Sequence, residues 1–315
     1  MPRLTAIVPA TNAPATLERC LAAIAAAADP PEEIVVVEEP HLAGPALARN
    51  AGALRANGDI LVFVDADVEV HEDAFTLIRA AFERDPELSA VFGSYDDRPG
   101  APGLVSSFRN LLHHHVHQSS AGPAGTFWAG LGAVRSEAFH AVGGFDDDRF
   151  ARPSVEDIDL GMRLCARGGR VLLDPRIQGK HLKRWGLVNM VRTDLLSRGI
   201  PWMGLLLRHR SSSSALNLGW RHRLSAGSCV AGVGAVAAQR FLLTLVVLVL
   251  FVALNGGFYR LLLRRGGPLT AVVGVPLHAV HHLTAVVAVP AGLVAFVVHA
   301  RAEARATERI PVQSS

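Results

Sequence analysis

The stretch Gly58-Asp59-Ile60-Leu61-Val62-Phe63-Val64-Asp65-Ala66-Asp67 decides the fold. Its short apolar run, Ile60 to Val64, is bounded by polar residues and suits a strand buried on both faces of a parallel sheet. Side chains alternate along a strand, so Asp65 and Asp67 are expected on one side, at its C-terminal end. Open α/β sheets bind ligands at that edge. Two carboxylates at this spacing can hold a hard divalent cation. Mg²⁺ typically takes one or two protein carboxylates and fills its shell with water and phosphate oxygens.

Outward from this strand the pattern alternates. Leu4–Val8, Glu33–Val37 and Leu88–Gly93 read as strands, and Ala15–Ala28, Pro45–Asn57 and Glu72–Arg84 as helices between them. Such alternation implies right-handed βαβ units. The expected class is α/β, with a Rossmann-like, mostly parallel central sheet flanked by helices. Neither Gly-x-Gly-x-x-Gly nor a P-loop is present, so dinucleotide binding and ATPase chemistry lack their usual motifs. Past Pro99, Leu104–His117 reads as a helix, Phe127–Val134 as a strand and Val171–Leu173 as a last strand.

Ser154-Val155-Glu156-Asp157-Ile158-Asp159-Leu160 is the second informative stretch. Ser154, with Asp157 three residues on, fits a capping box before a helix whose apolar face is Ile158, Leu160 and Leu164. Asp157 then only caps. Alternatively, Glu156 and Asp157 stand at the helix start beside the cleft, where a carboxylate can accept a proton from an incoming hydroxyl. The helix N-terminus favours the ionised form. His113 and His117 lie four apart and could share a face that binds metal. No carboxylate or Cys lies beside them, and an exposed polar helix face accounts for them as well.

The net charge of +3 over 315 residues hides an asymmetry: beyond residue 200 stand eleven Lys and Arg against two acids, and before it twenty against twenty-six. An acidic front and a basic, apolar back argue against nucleic acid as a partner and for a soluble domain attached to a lipid bilayer. Cys20, Cys165 and Cys229 are scattered, without a disulfide or zinc pattern. Met1–Pro9 lacks the features of a signal peptide, so the soluble part is expected in the cytosol, at the inner or plasma membrane. Trp and Arg between Val188 and His222, including Trp202, Arg208, Arg210 and Trp220, suit interfacial helices. Ala226–Leu254 and Leu269–His299 each exceed the roughly 20 residues that span a bilayer. Basic flanks on all sides leave two topologies: an extracytoplasmic middle loop, or a first stretch that is a hairpin turning near Gln239-Arg240. His278, His281 and His282 are expected to stack or hydrogen-bond between helices. The expected organisation is a catalytic domain over 1–190, juxtamembrane helices over 191–224, two or three transmembrane helices over 225–300 and a basic tail over 301–315.

Taken together, these residues resemble family 2 glycosyltransferases of the GT-A fold, of the membrane-attached bacterial type. The resemblance rests on Ala6-Ile7-Val8-Pro9, Val35–Glu39, Gly44–Gly52, Gly58–Asp67, Trp128-Ala129-Gly130, Val142–Asp146 and Glu156-Asp157, so it covers about residues 4–185. It implies inverting sugar transfer from a nucleotide-diphosphate sugar to a glycan or lipid-linked acceptor, with Mg²⁺ or Mn²⁺. By the same resemblance Pro9 and Thr11 would line the nucleotide pocket, Glu38 or Glu39 would lie near the base, and Arg49 and Asp65 would contact the donor. Asp67 would coordinate metal, Asp65 and His181 being further candidates. Asp157, with Glu156 beside it, would be the general base. Trp128, Arg184 and Trp185 would serve the acceptor or diphosphate. His181-Leu182-Lys183-Arg184-Trp185 is similar to the Gln-x-x-Arg-Trp string of processive members, with His in place of Gln. Glu38-Glu39-Pro40-His41 and Thr11-Asn12-Ala13 also depart from the family's usual Asp-Asp-Gly-Ser and Tyr-Asn-Glu. Two rival readings are a membrane scaffold that has lost activity and a nucleotidyltransferase, but Pro9–Ala15 lacks the Gly-rich basic loop of the latter.

Overall fold

A computed structural model describes residues 1–209 and 219–308. The strands are β1 (Leu4–Pro9), β2 (Glu33–Val37), β3 (Ile60–Val64), β4 (Val68–Val70), β5 (Leu88–Tyr95), β6 (Gly122–Ala124), β7 (Leu131–Arg135) and β8 (Arg170–His181). The helices of the first part are α1 (Leu17–Ala25), α2 (Pro45–Arg55), α3 (Ala74–Arg84), α4 (Leu104–Gln118), α5 (Ser136–Ala141) and α6 (Glu156–Ala166). Then follow α7 (Leu187–Arg192), a π-helical turn (Thr193–Gly199), α8 (Ile200–His209), α9 (Trp220–Ala237), α10 (Phe241–Leu254) and α11 (Gly256–Glu308).

The sheet order is β2-β1-β3-β7-β5-β8-β4, with β6 on β8. β3 is buried along its whole length, as its unbroken apolar run requires. The expected mostly parallel sheet is instead mixed. β1 pairs in parallel with β2 and β3, but β7 enters antiparallel between β3 and β5, and β4 and β6 are antiparallel to β8. Apolar patterning reports which faces are buried, not which way a strand runs. The predicted strand Phe127–Val134 starts only at Leu131, so Trp128-Ala129-Gly130 form the loop that leads into it. The last strand is far longer than Val171–Leu173. Its second half follows an irregularity around Pro175, continues through Gln178 and Gly179 against β5, and ends at His181 opposite Val68.

Helices α1 and α3 cover one face of the sheet with Cys20, Ile24, Phe75, Ile78 and Phe82. Helices α2, α5 and α6 cover the other with Ala46, Ala48, Phe139, Leu160 and Leu164. Trp202 and Leu205 of α8 pack on this second core rather than facing outward, whereas Trp220 is exposed. Ala226–Leu254 is broken at Gln239, where φ is 54°, and continues as two helices, α9 and α10. Helix α11 turns back on itself at Gly267, whose φ of 80° is open to glycine. Tyr259 Oη therefore meets His278 Nδ1 at 3.1 Å across the turn, and the His278 and His282 rings pack tilted at 41° with centroids 4.5 Å apart. Gly256–Val298 is long and apolar enough to cross a membrane; Phe241–Leu254 is apolar but shorter. At ~1.5 Å per residue the limb over 268–298 is about 46 Å long. Arg210 and the rest of 210–218, and the tail over 309–315, lie outside the described residues.

Candidate active site

The C-terminal edge of β3 turns at Asp65-Ala66-Asp67 and leads into β4, which pairs with β8, the turn being held by the Val68 amide on the Asp65 carbonyl at 2.9 Å. Arg49 of α2 links the two acidic stretches. Its guanidinium donates to Asp65 Oδ1 at 2.7 Å and to Glu156 Oε1 at 2.9 Å. Arg49 and Glu156 are both buried, and the Arg49 Nε atom has no partner among the described residues. The two carboxylates hold Arg49 firmly protonated despite its burial. Burial pushes Asp65 above the usual carboxylate range even with Arg49 opposing it. Asn50, next to Arg49, clamps the loop before α6: its amide donates to the Phe145 carbonyl and accepts from the Phe145 amide at 2.8 and 2.9 Å. This sets the Phe145 ring under Arg49, 5.4 Å from the guanidinium.

Ser154 does not cap α6. Its amide donates to Glu156 Oε2 at 2.8 Å and its hydroxyl to the Ser197 carbonyl at 3.1 Å. Asp157 instead accepts from the Ile158 amide at 2.8 Å and from the Ala129 amide at 3.3 Å. That second bond is possible because α6 lies directly on the 126–130 loop. A Cβ at Gly161 would sit 2.2 Å from the Phe127 nitrogen. Burial, with the Glu156 charge beside it, raises Asp157 to about 7, although Arg49 opposes the shift.

Asp67 faces His181, whose Nε2 lies 3.6 Å from Asp67 Oδ2. The Leu182 amide also donates to the Asp67 carbonyl at 2.8 Å. Burial would raise Asp67, but His181 and the Lys183 charge outweigh it and keep the carboxyl below its ordinary value. The His181 ring stacks flat on Tyr95, with centroids 4.1 Å apart and planes at 10°. Trp128 stands edge-on to Tyr95 at 4.9 Å. His113 joins both, 4.3 Å from Tyr95 and 4.7 Å from Trp128.

His113 and His117 therefore do not form an exposed polar face. They are packed 3.9 Å apart behind Trp128, and His117 Nδ1 meets the Gly93 carbonyl at 2.9 Å. Burial holds both below the usual imidazole range, His117 at about 4. Among the described residues no group of three His, Cys, Asp or Glu side chains is arranged to hold a metal. Tyr95 and Asn50 are site residues that sequence reasoning missed. His113, singled out with His117 by their four-residue spacing as a possible metal ligand, instead packs on the Tyr95 and Trp128 rings.

The other expected residues lie further from this centre. Thr11 is buried, and its hydroxyl donates to the Ala43 carbonyl at 2.6 Å while its carbonyl accepts from Leu42 at 2.8 Å. It clips the 38–43 loop to the end of β1, where Pro9 lies. Glu38 and Glu39 are exposed on that loop. Arg184 is exposed. The Trp185 ring is buried between Lys183 and Arg109, with cationic groups 4.7 and 5.4 Å from its centre.

Residues 37–143 match the family described as Glycosyl transferase family 2. Over 155 residues, covering 45% of this chain, the sequence is 30% identical to the pre-mycofactocin glycosyltransferases of Mycobacterium tuberculosis strains CDC 1551 and H37Rv. The alignment covers 31% of those proteins, so the chain spans about a third of the length of the curated relatives it matches. Among solved structures, a mannosyltransferase from Pyrobaculum calidifontis, in complex with GDP-Man and Mn²⁺, has a TM-score of 0.53 at 18% identity, covering 91% of this chain and 87% of that one. The fold is thus α/β and GT-A-like. The segment 37–143 thus matches the family 2 model, the fold is the one shared with that mannosyltransferase, and the C-terminal apolar helix is consistent with membrane attachment.

Proposed function

We propose that the chain is an inverting glycosyltransferase that moves a sugar from a nucleotide-diphosphate donor to a glycan or lipid-linked acceptor beside the bilayer. The observation that carries this reading is Asp157, raised to about 7 next to a buried Arg49–Glu156 pair. A carboxylate of that basicity, at the sheet edge and on a helix start, is suited to taking a proton from an acceptor hydroxyl. Asp157 takes that proton as the acceptor oxygen attacks the anomeric carbon. The nucleoside diphosphate leaves from the opposite face, and the configuration inverts. Arg49 keeps Asp65 and Glu156 in register on either side of the reacting groups. Thr11, Pro9 and the Glu38–Glu39 loop flank the nucleotide. Trp128 offers its face to a sugar ring, and Arg184 stands on the acceptor side, with the buried Trp185 ring packed behind it.

The donor set at Asp67 fits a hard divalent ion. The Asp67 carboxylate would hold Mg²⁺ or Mn²⁺, and the His181 imidazole, 3.6 Å from it, would add a nitrogen donor that suits Mn²⁺ better than Mg²⁺. When bound, the ion neutralises charge on the departing diphosphate. The catalytic domain is read as cytosolic, at the inner or plasma membrane.

The test is donor turnover by the detergent-solubilised protein, over a panel of UDP-, GDP- and dTDP-sugars with Mg²⁺, Mn²⁺ or EDTA. Release of one nucleoside diphosphate that depends on the metal is expected. If no donor is turned over and none raises the melting temperature in the presence of metal, the reading fails.

A further inference from the structure

No Asp or Glu lies between Asp194 and Glu303, a stretch that carries ten arginines. Two of these, Arg221 at the start of α9 and Arg260 in the first turns of α11, line one cavity of about 420 Å³ together with Leu250, Ala253 and Leu254 of α10. A second cavity of about 510 Å³ shares Arg260 and adds Leu263 and Arg264. The place is fixed by local bonds. Asn255, between α10 and α11, donates to Ser225 Oγ and to the Phe251 carbonyl, both at 2.9 Å, which ties the start of α9 to the end of α10. Arg260 Nε donates to the Gly256 carbonyl at 3.2 Å, which anchors its stem at the groove.

Among the described residues neither Arg221 nor Arg260 has a carboxylate at ion-pair distance, whereas the neighbouring Arg265 is bonded to Asp97 at 2.6 Å. Both arginines are exposed. Beyond the groove, α10 presents Phe241, Leu242, Leu245, Val246 and Val249 to the outside, each more than half exposed. A cationic mouth thus opens beside an uncovered apolar helix, and the charge asks for an anion that carries hydrocarbon.

We propose that the Arg221–Arg260 groove binds the phosphate headgroup of an anionic phospholipid of the bilayer, whose acyl chains lie along α10. Guanidinium groups bind phosphate through paired N–H donors. Surface arginines near anionic lipid each add a modest attraction that is lost at high salt. This site stands apart from Asp67 and Asp157 and does not rest on the catalytic reading.

The test is titration calorimetry of the full chain in a neutral detergent with three probes: short-chain phosphatidylglycerol, short-chain phosphatidylcholine and inorganic phosphate. Saturable binding of phosphatidylglycerol alone is expected. The double variant Arg221→Gln/Arg260→Gln should weaken it about ten- to thirty-fold, and Arg55→Gln, on the far-removed α2, should not. Leu250→Glu, which keeps both arginines, should weaken it as well. Equal binding of both lipids, or unchanged binding in the double variant, would overturn the site. Inorganic phosphate bound as tightly as the lipid would overturn the lipid assignment. So would a dimer that buries the groove and is abolished by Leu250→Glu.

Discussion

Arg49→Met is the perturbation that probes the architecture of the site most sharply. The substitution keeps an apolar stem of similar length and removes the cation shared by Asp65 and Glu156. The Glu156 and Arg49 side chains are each only 6% exposed, whereas Asp65 is 32% exposed. The Glu156 arm therefore carries most of the cost, and water screens part of the Asp65 arm. Breaking one partner of a buried pair typically costs about 3–5 kcal/mol, because the remaining charge is left uncompensated. At about 2–4 °C per kcal/mol for a domain of this size, the melting temperature should fall by about 6–20 °C. The deficit should depend on pH. Asp65 already lies above its ordinary value in the folded protein, and without Arg49 it rises further. A group raised on folding loses stability as pH rises through its folded pKa, so the loss should be largest near pH 8 and smaller near pH 5. Thermal melts of both proteins across that range read this directly. The double variant Arg49→Met/Glu156→Gln should recover part of the loss. A single variant that melts within about 2 °C of the parent at pH 8 would refute the reasoning.

Three further outcomes follow from the geometry. Asp67→Asn should abolish the extra thermal stabilisation that Mn²⁺ adds to a bound donor; retention of that increment would remove Asp67 from the metal site. Tyr95→Ala should release the His181 ring and weaken Mn²⁺ binding two- to ten-fold, the range expected when a stacking contact worth about 0.5–1.5 kcal/mol is lost. Unchanged Mn²⁺ affinity would mean that the stack does not position His181. Arg109 of α4 is buried, pushed down to about 10, and bonded to Asp194 at 3.1 Å; His281 of α11 reaches the same carboxylate at 2.8 Å. Asp194→Asn should therefore destabilise the protein by about 3–5 kcal/mol, read as a lower denaturation midpoint. No change would show that this network does not hold the long helix to the π-helical turn and α4.

The strands β1, β2, β3 and β5 and helices α1 to α4 were legible because each has one periodicity and clear stops. Pro45 opens α2, and the β3 run is apolar throughout. The direction of β7 was not legible, since Leu131–Arg135 looks the same whichever way it runs. The second half of β8 was hidden by Pro175, which lies at an irregularity, and by Gly179, which is paired between β4 and β5. Within the site, acidic pairs stand out in a sequence and aromatic packing does not. Asp65, Asp67, Glu156 and Asp157 announced themselves by spacing, and Arg49 by its place in Gly44–Gly52. Tyr95 and Asn50 act through contacts with residues distant in the chain, on which no local pattern reports, and the spacing that marked His113 and His117 said nothing of the rings they pack on. The failed capping box is instructive in the same way. Ser154 had the right spacing, but Glu156 is engaged by Arg49 and draws the Ser154 amide to itself.

The central claim is that Asp157 is the base of a glycosyl transfer. The pH dependence of donor turnover tests it most directly, measured as nucleoside diphosphate release by the parent protein and by Asp157→Asn with saturating metal. The base must be ionised to act, so turnover should rise with pH and level off above about 7. Asp157→Asn should lose roughly 10²–10⁴-fold in rate at every pH while the donor still raises its melting temperature. A parent profile that is flat from pH 5 to 8, or a variant that keeps its turnover, would contradict the account.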